Sequence, residues 1–196
     1  LKGPTLTSLF FGGGTPSYLP TRDLRRLMRT IKTSFVLPGD AEATIEANPG
    51  DCSPERVQSM RRAGFNRISL GVQSFDDNEL RFLGRRHDAK RAKDAVYSAR
   101  RAGFDNISID LMFGLPNQYI STWEHTVEQA AELGTQHVSA YALTVENGTP
   151  LEMDVRTGKT PEPDADLAAE MYLLAQSAFQ SAGLHQYEIS NWAIPG

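Results

Sequence analysis

The stretch that decides the fold is Arg61-Arg62-Ala63-Gly64-Phe65-Asn66-Arg67-Ile68-Ser69, because the chain repeats it at Arg100-Arg101-Ala102-Gly103-Phe104-Asp105-Asn106-Ile107-Ser108. Looser copies stand at Glu132-Leu133-Gly134-Thr135-Gln136-His137-Val138-Ser139 and Ser181-Ala182-Gly183-Leu184-His185-Gln186-Tyr187. Each copy has the same physical meaning. A helix ends at a glycine able to take the left-handed conformation. Two or three polar residues follow, and a short β-rich run begins. Successive copies lie roughly one β-α unit apart, the spacing of a repeated supersecondary element.

Working outward, the helices are placed by their end signals and apolar spacing. Thr21 is expected to cap a helix whose apolar face is Leu24, Leu27, Met28, Ile31 and Phe35. Ser53-Pro54-Glu55 starts the next, with proline at the first helical position. Asp88 is expected to cap a third, which buries Ala92, Ala95, Val96 and Ala99. A fourth opens at Ser121-Thr122-Trp123-Glu124, and a fifth at Asp164 or Asp166 with Met171, Leu174, Ala175 and Phe179 inward. Candidate strands fall at residues 6–11, 43–46, 67–71, 107–112, 137–143 and 186–189. Residues 146–163, rich in Gly, Pro and Thr, read as an excursion between units. Alternating strands and helices with short loops mean an α/β fold with a parallel sheet covered by helices. A barrel or partial barrel is preferred to a doubly wound sheet, because no dinucleotide fingerprint is present.

The formal net charge of −4 gives no reason to expect a nucleic-acid partner, and the arginine pairs read as helix faces or helix ends. No apolar run approaches the roughly 20 residues needed to span a bilayer. The single cysteine, Cys52, excludes an internal disulfide and fits a reducing compartment, with the cytoplasm as the expected one. The chain opens with Leu1-Lys2-Gly3-Pro4 and closes with Ile194-Pro195-Gly196, so both ends read as cuts in a longer protein.

In parallel α/β folds ligands sit at the carboxyl ends of the strands. The first strand runs into Gly12-Gly13-Gly14-Thr15-Pro16, where glycines let a ligand press on the backbone; a tight turn needing positive φ would read the same way. The second ends in Glu46-Ala47-Asn48-Pro49, a carboxylate placed for an ammonium or sugar hydroxyls, or for solvent. The third ends in Gly71-Val72-Gln73-Ser74-Phe75, whose glutamine needs amide partners if buried. The fourth carries Asp110 inside an apolar run, which is costly without a partner. Arg85 follows a short helix and offers a fork for a carboxylate, or a surface charge. His87, His125, His137 and His185 lack metal-ligand spacing. Together these residues suit a zwitterion carrying a ribose better than a bare phosphate.

The strings Phe10-Phe11-Gly12-Gly13-Gly14-Thr15-Pro16-Ser17, Glu46-Ala47-Asn48-Pro49, Gly71-Val72-Gln73-Ser74-Phe75, Leu83-Gly84-Arg85 and Ile109-Asp110-Leu111-Met112-Phe113-Gly114-Leu115-Pro116 resemble the coproporphyrinogen III oxidase-like branch of the radical S-adenosylmethionine superfamily. The resemblance implies a partial six-unit (β/α) TIM-like barrel, incomplete at its N-terminus, that holds S-adenosylmethionine against a [4Fe–4S] cluster. Residues 1–145 would be the barrel without its first strand and cluster loop. Residues 146–196 would be the last barrel helix and the start of the family's C-terminal region. Gly13, Glu46, Arg85 and Asp110 match contacts to the cofactor. Gly14, Thr15, Gln73 and Ala142 match contacts to a second S-adenosylmethionine in the oxidase.

The family's Cys-x-x-x-Cys-x-x-Cys motif precedes the glycine-rich strand, and Cys52 matches no ligand. The cluster's ligands are therefore expected outside this chain, and the chain alone is expected to be inactive. The segment Tyr141-Ala142-Leu143-Thr144-Val145-Glu146-Asn147-Gly148-Thr149-Pro150-Leu151, with Tyr187-Glu188-Ile189-Ser190-Asn191-Trp192-Ala193, resembles the haem chaperone side of the family. That side implies haem as cargo and haem-accepting apoproteins as partners. The alternative is an oxygen-independent oxidase acting on a porphyrinogen, an oxidoreductase of the coproporphyrinogen dehydrogenase type. A remoter reading is an iron-free barrel enzyme that cradles a phosphate on residues 12–15.

Overall fold

In a computed structural model, residues 3–195 are described. The strands are β1 (Ser8–Phe11), β2 (Glu42–Ala47), β3 (Arg67–Gln73), β4 (Asn106–Phe113), β5 (His137–Ala142), β6 (His185–Glu188) and β7 (Asn191–Ala193). The helices are α1 (Thr21–Ser34), α2 (Pro54–Ala63), α3 (Asp77–Phe82), α4 (Ala89–Arg101), α5 (Ile120–Glu132), α6 (Pro150–Arg156) and α7 (Ala165–Ser181). The strand order is β1-β2-β3-β4-β5-β7-β6. By internal contacts the chain forms two compact units: one from the residues up to Val72 with Lys90–Ile109, the other from Gln73–Ala89 with the residues from Asp110 onward.

In the first unit β1, β2 and β3 are parallel neighbours, with Phe11 opposite Ile45 and Ile45 opposite Ile68. The repeated sequence sets their spacing. Ser53 accepts a hydrogen bond from Arg56 N–H to start α2, and Gly64 ends it at φ 112°. Gly103 ends α4 in the same way at φ 86°. Only glycine takes these angles without strain. The phenylalanine after each glycine is enclosed, Phe65 at 0% and Phe104 at 1% exposure, and each such burial stabilises by roughly 1.5–3 kcal/mol. Arg61 joins the two copies: its Nε donates to Gly103 O at 2.8 Å, and its guanidinium lies 6.0 Å from the Phe104 ring centre. This arginine at a helix end is a cross-link as well as a surface charge.

In the second unit α5 packs on α7, and Trp123, fully buried, donates from Nε1 to Met171 O at 2.8 Å. Asp164 caps α7 by accepting from Asp166 N–H and Leu167 N–H. Met171, Ala175 and Phe179 face inward as the spacing predicts.

Several expectations need correction. Thr21 is the first residue of α1 and not its cap, because Pro20 occupies the cap position without a side-chain bond; Thr21 Oγ1 instead meets Ser59 Oγ at 3.0 Å. Of the expected apolar face, Leu24 and Met28 are buried, while Leu27 and Phe35 are 43% and 37% exposed. The excursion at 146–163 contains α6, started by Thr149 accepting from Glu152 N–H with Pro150 behind it. The sixth strand does not join β5 directly. β7 lies between them and is antiparallel to both, so the parallel sheet ends in an antiparallel pair. Among the described residues no helix is long and apolar enough to cross a membrane.

Candidate functional site

The two units each carry one group of the residues singled out in the sequence. In the first unit β1 and β2 run side by side and bring the glycine loop onto Glu46. Gly13 N–H donates to Glu46 Oε2 at 3.1 Å. A Cβ on Gly12 would stand 2.3 Å from the Phe10 ring and 3.0 Å from Glu46 Oε1, so a side chain there would displace both. Gly13 and Gly14 have φ of 74° and 53° with open space beside them, so their glycine identity answers to conformation. Thr15 Oγ1 closes the loop on Gly14 O at 2.7 Å. The glycine loop is thus both the positive-φ turn and an exposed backbone surface, with a carboxylate fixed at its edge.

In the second unit Gln73 ends β3, only 8% exposed, at φ 71°. A non-glycine residue in that region is strained. Arg85 is set by the end of α3: Gly84, at φ 65°, turns the chain and Arg85 N–H returns to Leu80 O at 2.8 Å. Its guanidinium is half-buried, and Nε is enclosed without a hydrogen-bond partner. Burial lowers the Arg85 pKa, and the negative charge of Asp110 acts in the opposite sense. Asp110, half-buried on β4, is thus within electrostatic reach of Arg85. Ala142 lines an apolar cavity of about 510 Å³ with Phe113, Ala140, Ala168, Tyr172 and Leu173.

The chemistry of these residues can be tested against the groups the resemblance implies. An enclosed guanidinium Nε with no partner, within electrostatic reach of a carboxylate, suits the carboxylate and ammonium of an amino-acid moiety. A glycine loop edged by a carboxylate suits an ammonium or a sugar hydroxyl. S-adenosylmethionine therefore fits the donor set. A [4Fe–4S] cluster does not fit, since thiolates are its anchors. The only cysteine, Cys52, is 7% exposed, donates to Asn48 O at 3.3 Å, and has its thiol pushed up to about 12 by burial and by Asp51. Among the described residues no three His, Cys, Asp or Glu side chains converge as a metal site.

The pattern of the radical SAM superfamily matches residues 2–130. The chain belongs to that superfamily. This radical SAM chain is 41% identical over 194 residues to the protein named Heme chaperone HemW of Bacillus subtilis, covering 98% of this chain and 51% of the relative. It is 38% identical over 197 residues to the protein of that name in Escherichia coli, covering 100% and 50%. The bovine Radical S-adenosyl methionine domain-containing protein 1, mitochondrial, is 41% identical over 189 residues, covering 96% and 43%. The chain spans about half the length of these curated relatives. Among solved structures, coproporphyrinogen III oxidase (HemN) from Escherichia coli, a radical SAM enzyme, superposes with a TM-score of 0.84 at 27% identity, over 97% of this chain and 44% of that one. The fold is that of the radical SAM partial barrel.

Sequence reasoning missed one buried polar group in this region, Glu79. Only its place three residues after the capping Asp76 was visible, and that spacing reads as an ordinary helix start. In the structure its carboxylate is 8% exposed and bonded to Ser74 Oγ.

Proposed function

We propose that this chain is the S-adenosylmethionine-binding core of a protein that carries haem and passes it to haem-accepting apoproteins. The observation that carries the cofactor half is the enclosed, unpartnered Nε of Arg85, within electrostatic reach of Asp110. Arg85 would clamp the cofactor's carboxylate. Asp110 and Glu46 would take its ammonium and ribose hydroxyls, and Gly13 and Gly14 would keep the backbone open against it. Gln73, with Thr15 and Ala142, would serve a second copy. Bound S-adenosylmethionine supplies a sulfonium whose carbon–sulfur bond a [4Fe–4S] cluster can break reductively, and that cluster needs cysteines beyond the one held here.

The cargo half is supported by the whole-chain identity of about 40% to proteins named heme chaperones. The match to the Escherichia coli oxidase supports the second reading, oxidative decarboxylation of a porphyrinogen. We place the protein in the cytoplasm. Two measurements decide between the readings: a haem titration followed by visible absorbance, and an anaerobic assay for loss of propionate carboxyl groups from coproporphyrinogen III. Haem binding without turnover is the expected result. Turnover without haem binding would establish the oxidase reading.

A further inference from the structure

In the second unit a cavity of about 290 Å³ opens between α3 and the turn that follows β4, and none of the residues assigned to the cofactor lines it. Two enclosed polar side chains do, Glu79 at 8% and Gln118 at 5% exposure. Each is held at one end. Glu79 Oε2 accepts from Ser74 Oγ at 2.6 Å, and Gln118 Oε1 accepts from Leu115 N–H at 3.0 Å. Each is free at the other end. Glu79 Oε1 and Gln118 Nε2 are both shut off from solvent and have no hydrogen-bond partner, not even each other. Buried polar atoms are nearly always paired, so an unpaired acceptor and an unpaired donor on one cavity are a standing cost that a ligand can remove. The rest of the lining is largely apolar. Leu115 and Pro116 are buried in the wall, and the rings of Phe82 and Tyr119 are 43% and 73% exposed.

This lining discriminates among ligands. No lysine or arginine is part of it, and Asp76 shares it with Glu79, so an anion meets repulsion. A cation could pair with Glu79 Oε1 but would leave the Gln118 donor unpaired. A single water occupies only roughly 30 Å³ and gains nothing from an apolar wall. A primary carboxamide serves both free atoms: its carbonyl accepts from Gln118 Nε2, and its NH₂ donates to Glu79 Oε1. An apolar body behind that head group would cover Leu115, Pro116 and the two rings. We infer that this cavity binds a primary carboxamide carried on an apolar body, with Glu79 and Gln118 reading the head group. A free aromatic amide and a glutamine side chain within a peptide share this chemistry. Binding takes place through hydrogen bonds and apolar contact, with no covalent step, and it does not depend on the haem-carrying reading above.

The test titrates benzamide, benzoate and benzylamine into the 196-residue chain and follows backbone amide resonances by NMR. Benzamide should shift the resonances of residues 76–79 and 115–122 saturably, and the other two should bind at least about 10-fold more weakly. Gln118→Glu keeps an oxygen for Leu115 N–H but removes the free donor, and should weaken benzamide binding about 10-fold. Tyr119→Ala, at an exposed position, should also weaken it and keeps the test open if Gln118→Glu does not fold. Tyr18→Ala, in the first unit, should change nothing. Acetyl-phenylalanyl-glutamine methyl ester presents the same head group on a peptide: tighter binding than benzamide assigns the site to a protein side chain, weaker binding to a free amide. Benzoate or benzylamine binding as tightly as benzamide overturns the inference. So does the absence of any shift with benzamide, which would leave the enclosed pair to water alone.

Discussion

Ser74 Oγ donates a 2.6 Å hydrogen bond to Glu79 Oε2, and neither side chain is more than 8% exposed. Around this bond the turn after β3 is tied down. Asp76 N–H donates to Ser74 Oγ at 2.9 Å, and Phe75 N–H donates to Thr126 Oγ1 of α5 at 3.3 Å. Gln118 Oε1 accepts from Leu115 N–H at 3.0 Å, which fixes its amide so that the NH₂ end faces the same carboxylate. The turns after β3 and β4 therefore meet at one buried acid.

Burial, with a smaller push from Asp76, raises the Glu79 pKa above its ordinary 4.5, against the hydrogen bond from Ser74 and the opposing influence of the nearby Gln118 amide. A carboxyl group with a raised folded pKa binds more protons when folded than when unfolded. Its stabilising contribution is then complete below the unfolded pKa and is lost as pH climbs through the folded value. Glu79→Gln should flatten the fall in stability from about pH 4.5 upward, measured by urea unfolding at a series of pH values. An unchanged slope would place the dependence on other groups.

Ser74→Ala leaves Glu79 Oε2 enclosed without its donor. The expected loss of stability is about 1–3 kcal/mol, read from the urea midpoint at constant slope.

For the cofactor, Asp110→Asn, Glu46→Gln and Arg85→Lys should each weaken S-adenosylmethionine binding about 10-fold, the equivalent of one lost buried polar contact. The lysine change is informative because an ammonium cannot reproduce the guanidinium fork. Calorimetry on the three variants checks this. Unchanged affinity in all three would return these residues to a structural role alone.

Iron reconstitution gives an independent check. With one cysteine, and that one buried and protonated, the 196-residue chain should take up no stoichiometric four-iron cluster. Cys52→Ser should leave its iron content unchanged. Iron and sulfide analysis after gel filtration measures both.

Much of this architecture was legible because its signals are local. A helix that ends at a left-handed glycine is written in a few residues, so Gly64 and Gly103 announced the β-α units. Gly13 and Glu46 could be assigned to one end of the sheet because each stands at the carboxyl end of a candidate strand. What was not legible depended on partners distant in sequence. β7 is three residues long and exists as a strand only against β5 and β6. The exposure of Leu27 follows from what packs beside α1, which helical spacing does not contain. His137 Nε2 and the Tyr187 hydroxyl meet at 2.8 Å from positions 50 residues apart, and nothing in either neighbourhood points to the other. Ala142 was placed among cofactor contacts by resemblance alone, and the structure sets it in an apolar cavity.

The left-handed backbone of Gln73 bears on how this chain tolerates change. A residue with a Cβ held at φ 71° is strained by roughly 1–3 kcal/mol, a cost that glycine escapes. Selection for thermal robustness alone would favour glycine at this position. Gln73→Gly should accordingly raise the melting temperature while weakening whatever the carboxamide holds. A higher melting temperature with unaltered ligand affinity would mean that the strain serves no ligand. A higher melting temperature with weakened ligand affinity would mark position 73 as a place where robustness has been traded for chemistry, and so a poor choice for stabilising mutagenesis of this protein.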